Sequence, residues 1–275
     1  MSNALLLKAP QGFTPDLAGW RNISLSDLNQ RAALLDRAES KYVFSSDTFN
    51  TVLQRLRPDF EVLVINDRST FTYDTTYYDT SSLLLYRQHA QGKRLRLKVR
   101  SRHYVDNGLC YFELKLKGQR DRTIKERTPY RVEDTNCVTR EAQQYLNDCV
   151  LATYGGPFRE HLGVSLAMRF QRITLVGTRR PERMTIDFGL QFAVPGGPII
   201  DAPSDTLIVE VKSPDGRGRA DEVFRSIGAR QDTCSKYCIG LNMARDDLPY
   251  NAFNRTLKTY FAWSPPTTAP CTYRS

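Results

Sequence analysis

The sequence predicts an α+β fold, in which an eight-stranded antiparallel β-sheet closes into a barrel with helices flanking it. Three observations predict it. Eight segments carry strand-like composition and alternation, only a few carry helical periodicity, and most strand-to-strand joins are of hairpin length rather than the long crossovers that parallel strands need. The strongest single stretch is "LRLKVRSRHYVDNGLCYFELKLKGQ", residues 95–119. Arg94, Arg96, Lys98, Arg100 and Arg102 share one parity, with Leu95, Leu97 and Val99 on the other. After the turn signal Asp106-Asn107-Gly108, Phe112, Leu114 and Leu116 alternate with Glu113, Lys115 and Lys117. A strand sends successive side chains to opposite sides, so this hairpin has one apolar and one densely cationic face.

In chain order, "SLSDLNQRAALLDRAES" offers Ser24 or Ser26 as a helix cap, with Leu25, Leu28, Ala32 and Leu35 at helical spacing. "ESKYVF" reads as the first strand. A helix follows, capped by Ser46 or Asp47, striped by Phe49, Val52, Leu53 and Leu56, and ended by Pro58. The strands "EVLVIN", "TFTYDTTYYDT", "KRLRLKVRSRHY" and "CYFELKLKG" come next. "TREAQQYLNDCVLATYGG" is a helix stopped by Gly155-Gly156. "SLAMRFQRITLVG", "ERMTIDFGLQF" and "TLIVEVKS" complete the eight strands, and "RADEVFRSIGAR" and "NAFNRTLKTYFAW" are helical. The expected division is a helical segment over 1–35, a tunnel-forming domain over 36–262 and a Pro/Thr-rich tail over 263–275.

Of 275 residues 40% are hydrophobic, enough to fill a core, and the formal charge of +9 points to an anionic partner. No run of about 18 apolar residues suggests a membrane span. The opening "MSNALLLKAP" lacks the basic start and apolar length of a secretory signal, so a cytoplasmic chain is expected. The six cysteines are irregularly spaced and are read as reduced thiols. His89, His103 and His161 are too scattered for a metal triad, and no GxxxxGK loop is present to hold a nucleotide.

The charged parity recurs elsewhere. Glu39 and Lys41 alternate in the first strand; Arg183, Thr185 and Asp187 oppose Met184, Ile186 and Phe188; Glu210 and Lys212 oppose Leu207, Val209 and Val211. A barrel lined by these residues would hold a polyanion in a wet lumen, because burying so many cations without anions is prohibitively costly. Carboxylates among such cations serve either as ion-pair partners or, with phosphate oxygens, as ligands of a hard divalent cation. Single-stranded nucleic acid requires basic residues interleaved with exposed aromatics on an open groove; the tyrosines of "TFTYDTTYYDT" could supply stacking, but tyrosine in a strand is more often packing, so no nucleic-acid partner is expected.

The strings "ESKYVF", "YYDT", "VRSRHY", "YFELKLKG", "IKER", "RMTID", "IVEVKS" and "SKYCIG" stand in the order found in the polyphosphate polymerase domain of the vacuolar transporter chaperone, which this chain resembles over roughly residues 35–245. That domain is one of the triphosphate tunnel metalloenzymes, in the CYTH-like superfamily, and the resemblance implies a bacterial-type stand-alone member with an eight-stranded tunnel. It implies catalytic phosphate contacts at Lys41, Arg100, Arg102, Lys115, Arg172, Arg183 and Lys236. Further substrate contacts would come from Lys98, Lys117, Lys125, Arg127 and Lys212, with Lys125 toward the far end of the tunnel. Glu210 is the implied ligand of Mn2+ or Mg2+, assisted by Glu39 or Glu113. The chain departs from the family at Phe170, where tyrosine is frequent, and at Thr233 in place of a lysine. It also departs from the compact hydrolases, whose first strand reads Glu-x-Glu-x-Lys, because Arg37 stands before Glu39 and Lys41.

The implied activity is transfer of the γ-phosphoryl group of ATP to a growing polyphosphate chain. Hydrolysis of inorganic triphosphate in the same tunnel, and polyanion binding without turnover, are the alternatives. ATP and polyphosphate or triphosphate are the expected partners, with room for a membrane-protein partner in trans.

Overall fold

The computed structural model describes residues 13–31, 38–118 and 123–265. Its elements in chain order are β1 (Asn22–Ile23), α1 (Leu25–Arg31), β2 (Ala38–Ser45), α2 (Ser46–Leu56), β3 (Phe60–Leu63), β4 (Thr70–Asp79), α3 (Leu84–Ala90), β5 (Arg96–Tyr104), β6 (Leu109–Lys117), β7 (Thr123–Pro129), α4 (Arg140–Tyr154), β8 (Gly163–Gly177), β9 (Arg183–Ala193), β10 (Ile199–Asp201), β11 (Thr206–Ser213), α5 (Arg219–Ser226), α6 (Lys236–Ala244) and α7 (Asn254–Tyr260).

Eight strands form one antiparallel path in the order β2-β11-β9-β8-β4-β5-β6-β7. β3 pairs with β8 and with the two-residue β1, and β10 adds to β9. The eight strands on the path are not the eight expected from the sequence. "EVLVIN" contributes only the short β3 off the path, whereas "IKER" lies in β7, an edge strand whose apolar residues are only Ile124 and Pro129, too few to mark an apolar face.

The barrel expected from the sequence is not closed by hydrogen bonds: the path ends at β2 and β7. At the β2 end, the backbone N–H of Asp232 donates to the Lys41 carbonyl at 2.8 Å, and Gln231 Nε2 donates to Ser40 Oγ at 3.0 Å. The segment leading into α6 thus takes a place that a closing strand would need. The sheet nevertheless curls until its two ends meet through side chains, because Lys125 of β7 donates to Glu39 of β2 at 2.6 Å.

The alternation read from the sequence sets the layers. Leu97, Val99, Phe112, Leu114 and Leu116 turn outward and pack under Ala142, Leu146 and Val150 of α4. Val209, Val211, Met184 and Ile186 turn outward beneath Phe49, Val52, Leu53 and Leu56 of α2 and Val223 and Phe224 of α5. Helix α2 is capped by Ser45, whose side chain accepts from Thr48 N–H, one residue earlier than expected. Helix α1 starts after Ser24, whose Oγ accepts from Asp27 N–H; its expected continuation past Arg31 lies outside the described residues.

The inward face has two parts. Toward one end it is charged. Toward the other, Val43, Ile208, Met168, Leu166, Leu190 and Phe192 pack on Tyr237, Ile239 and Leu241 of α6 and Leu257 of α7. The change on β9 occurs at Gly189, whose φ of +60° coincides with a register shift against β8. Asp187 faces the charged part and Phe188 packs outside, yet after this bulge Leu190 and Phe192 face inward.

Gly240 lets α6 lie this close to the sheet. A Cβ there would stand 2.8 Å from Leu166 Cδ2 and closer still to the Phe192 ring, both fully buried. Alanine is the better helix former by about 1 kcal/mol, but the overpacking outweighs it. Gly240→Ala should lower stability by roughly 1–2 kcal/mol, read from the urea midpoint with an unchanged slope.

Candidate anion-binding site

The charged half of the concave face bounds a chamber of about 560 Å³. All eight strands of the path contribute to it: seven turn charged side chains inward, and β4 contributes Tyr73 and Tyr77. Among the described residues, Lys41, Lys98, Arg100, Arg102, Lys115, Lys125, Arg127, Arg172, Arg183, Lys212 and Lys236 line it, against the carboxylates Glu39, Glu113, Glu126 and Glu210. Every residue singled out from the sequence therefore faces this chamber except Lys117, which lies beyond its lining at the end of β6. Arg96 lies outside too, its guanidinium donating to the Lys93 carbonyl at 2.7 Å. Arg37, expected to replace an acid of the first strand, lies outside the described residues, as does Cys271. The other five cysteines are free thiols.

The carboxylates hold the cations in three groups. On β2 and β11, Lys41 stands opposite Glu210 and Glu39 opposite Lys212. Lys41 Nζ lies 3.2 Å from Glu210 and 3.6 Å from Glu39, and Lys212 caps Glu210 directly. Glu39 also receives Lys115 at 3.3 Å and Lys125 at 2.6 Å. Lys125, expected toward the far end, therefore sits at the seam between the terminal strands. A second group stands on β5 and β6: Arg100 donates to Glu113 through Nε at 2.8 Å, with Nη2 at 2.6 Å, while Arg102 is 4.0 Å away. In the third, Arg172 grips both oxygens of Asp187 at 2.6 and 2.8 Å, and Lys236 reaches the same carboxylate at 2.5 Å.

Asp187 was not singled out as a site residue, although it shares parity with Arg183 and Thr185. Fully buried and bearing two cations, it fixes Arg172 and brings Lys236, at the first turn of α6, to the sheet. Tyr73, Tyr77 and Phe170 form an aromatic floor under these charges. Tyr73 stacks on Phe170 with centroids 5.2 Å apart, and the Arg172 guanidinium lies 5.0 Å from the Tyr73 centroid. Lys236 Nζ is 5.6 Å from the Phe170 ring. Strand parity in "TFTYDTTYYDT" could have placed both tyrosines; nothing local marks Asp187 as different from a surface acid.

Burial would raise the carboxyl groups, but the surrounding cations overturn it. Arg172 and Lys236 hold Asp187 at about 2, and Arg100 and Arg102 hold Glu113 at about 2. Glu39 lies well below the usual range because Lys115, Lys125 and Lys41 outweigh both burial and Glu210. The lysines respond in the opposite sense. Burial, reinforced by neighbouring cations, pulls Lys98, Lys115 and Lys212 down to about 8. These amines carry more charge than their surroundings support, and a bound anion would relieve it.

No cluster of three or more His, Cys, Asp or Glu is present among the described residues, so a metal held by protein ligands alone is not preformed. A hard divalent cation shared with phosphate oxygens is a different matter. Glu39 and Glu210 flank Lys41, and Thr185, paired with Glu210 across β9 and β11, has a buried Oγ1 with no hydrogen-bond partner. This oxygen-rich corner fits such an ion. Glu113 is separate from it, clasped by the arginines of β5.

The fold and the site together define a polyanion chamber built on a curled antiparallel sheet. The chain belongs to the VTC domain family, whose model matches residues 36–245. No curated protein matches it in sequence. Among solved structures it is similar to a candidate adenylyl cyclase from Hippeastrum described as having a dominant triphosphatase activity, at 13% identity over 78% of this chain and 99% of that one, with a TM-score of 0.49. It is also similar to a candidate adenylate cyclase from Bacillus halodurans, at 13% identity over 73% and 94% of the two chains, with a TM-score of 0.46. No helix among the described residues is long and apolar enough to cross a membrane.

The depressed lysines give the chamber a pH signature. Raising the pH from 7 to 9.5 discharges Lys98, Lys115 and Lys212, so tripolyphosphate affinity should fall on the order of tenfold or more. Near pH 8.5 a bound anion favours the charged amines, and binding should take up protons. Titration calorimetry in two buffers of different ionisation enthalpy reads both effects; pH-independent affinity over this range would contradict the assignment.

Proposed function

We propose that the protein is a metal-dependent polyphosphate polymerase, transferring the γ-phosphoryl group of ATP to a growing polyphosphate chain. The observation that carries the reading is the excess of inward cations over carboxylates in the chamber as a whole, in a chain of the VTC domain family. A chain of phosphates can touch cations from β5 to β11 at once, whereas a single phosphate meets only a few.

In this reading the terminal oxygen of the polyphosphate attacks the γ-phosphorus of ATP. A new P–O bond forms as the bond to ADP breaks, with little covalent work for the protein. Arg172, held by Asp187, and Arg100, held by Glu113, present fixed donors to the equatorial oxygens. With Lys41 and Lys212 turned to phosphate, Glu210 would hold Mn2+ or Mg2+, with Glu39 beside it still paired to Lys115 and Lys125. Held there, such an ion would supply neutralisation of the charge on the moving phosphoryl group.

Hydrolysis of triphosphate is the second reading. Two observations favour it: the chamber measures about 560 Å³, and α6 and α7 fill the concave face beyond it. Both suit a short substrate.

Incubation with ATP and Mn2+ or Mg2+, with products separated by chain length on a gel, decides between them. Long chains together with ADP are expected. Release of free phosphate with no polymer under either metal would replace the polymerase with the hydrolase. Glu210→Gln keeps the shape and removes the charge, and should lower turnover by about 100-fold or more. Its circular dichroism should match the parent, and unchanged activity across a metal titration would remove Glu210 from this role.

A further inference from the structure

Beyond the phosphate contacts, one wall of the chamber carries aromatic rings that phosphate chemistry does not need. Tyr104, the last residue of β5, lines the chamber and lies 5.0 Å from Tyr73, centroid to centroid. Tyr111 of β6 meets Tyr104 edge-on at 6.1 Å and 89°. The Arg127 guanidinium of β7 covers Tyr111 at 4.6 Å. Strand register puts these residues at one end of the chamber, next to the β5–β6 hairpin, with Arg102 and Arg100 following inward at two-residue steps of roughly 6.6 Å along the strand.

If the two rings served packing alone, they would belong to an apolar cluster. They do not: Tyr104 and Tyr111 are half-buried and lie outside all the hydrophobic clusters formed by the described residues. They form an open right-angled corner, covered on one side by the planar, exposed end of Arg127. Nucleobases stack on such surfaces, on aromatic faces and on guanidinium planes alike. The Arg127 plane rests on Tyr111 where a base would rest, and its release would supply one more cation to the adjoining phosphates.

We propose that Tyr104, Tyr111 and Arg127 form a nucleobase seat at the rim, so that the protein selects a nucleoside triphosphate over an inorganic one. The base stacks at the rim and the triphosphate runs inward over Arg102, Arg100 and Lys98. The inference rests on the reading of the chamber as a phosphate site, whichever reaction follows. Because stacking needs only a π-face, purines should bind more tightly than pyrimidines, with little discrimination between adenine and guanine.

The test compares affinities of the full chain for ATP, abasic ribose 5-triphosphate and tripolyphosphate by calorimetry. ATP should bind about tenfold more tightly than the abasic compound, and Tyr111→Leu should remove most of that ratio. Equal affinities in the parent protein would overturn the seat while leaving the phosphate chamber standing. Failure of all three to bind would overturn the chamber as well. An ATP preference that survives both Tyr111→Leu and Tyr104→Leu would place the base elsewhere and refute this assignment. Should the variants not fold, photolabelling of the parent with 8-azido-ATP decides: label within residues 104–111 or on the 123–129 strand supports the seat, and label elsewhere refutes it.

Discussion

Everything inside the curled sheet depends on how few carboxylates hold how many cations. Asp187, Glu113, Glu39 and Glu210 each anchor at least two basic side chains, and none of the four is itself free to swing. Removing one would strand buried positive charge, a change that typically costs about 3–5 kcal/mol. Full neutralisation would have stabilised the fold and left nothing for a ligand. The sheet instead stays partly unbalanced, and the discrepancy appears in the lysines, whose amines lose protons more readily than they would in water.

The same balance explains the geometry of the seam. Strands β2 and β7 share no backbone bond, yet Glu39 draws Lys125 and Lys115 across the gap. Closure is thus electrostatic at one seam and hydrogen-bonded at every other neighbour on the path. Salt should act on the seam more strongly than on the ladders, since exposed ion pairs are screened.

Much of this was legible in the residues. Parity alone placed Lys98, Arg100, Arg102, Glu113 and Lys115 on one face and the leucines between them on the other, because a two-residue period survives any global arrangement. What failed was whatever depended on tertiary partners. Helix α3 escaped notice because its N-terminus is capped by Asp79, whose carboxylate accepts from Leu85 and Tyr86 N–H, six and seven residues away, as Leu83 turns at φ +55°. Helix α6 escaped because "KYCIGLNMA" is apolar on nearly every side, and a buried helix shows no stripe. Strand β7 offers only Ile124 and Pro129 as apolar residues, without an alternating apolar face. The closed barrel failed for a related reason: no sequence pattern near Lys41 announces that Asp232 will occupy the edge of its strand.

The bulge at Gly189 makes β9 a strand read in two frames. Upstream of it the odd-numbered residues point into the wet half of the molecule; downstream the even-numbered ones point into the dry half. Without that single shift, Gln191 and Ala193 would face α6 in place of Leu190 and Phe192. A helix resting on a small residue and an amide would sit loosely, and Lys236 at its first turn would lose its fixed station beside Asp187. One glycine thereby works as punctuation, dividing a continuous strand into a clause about charge and a clause about packing.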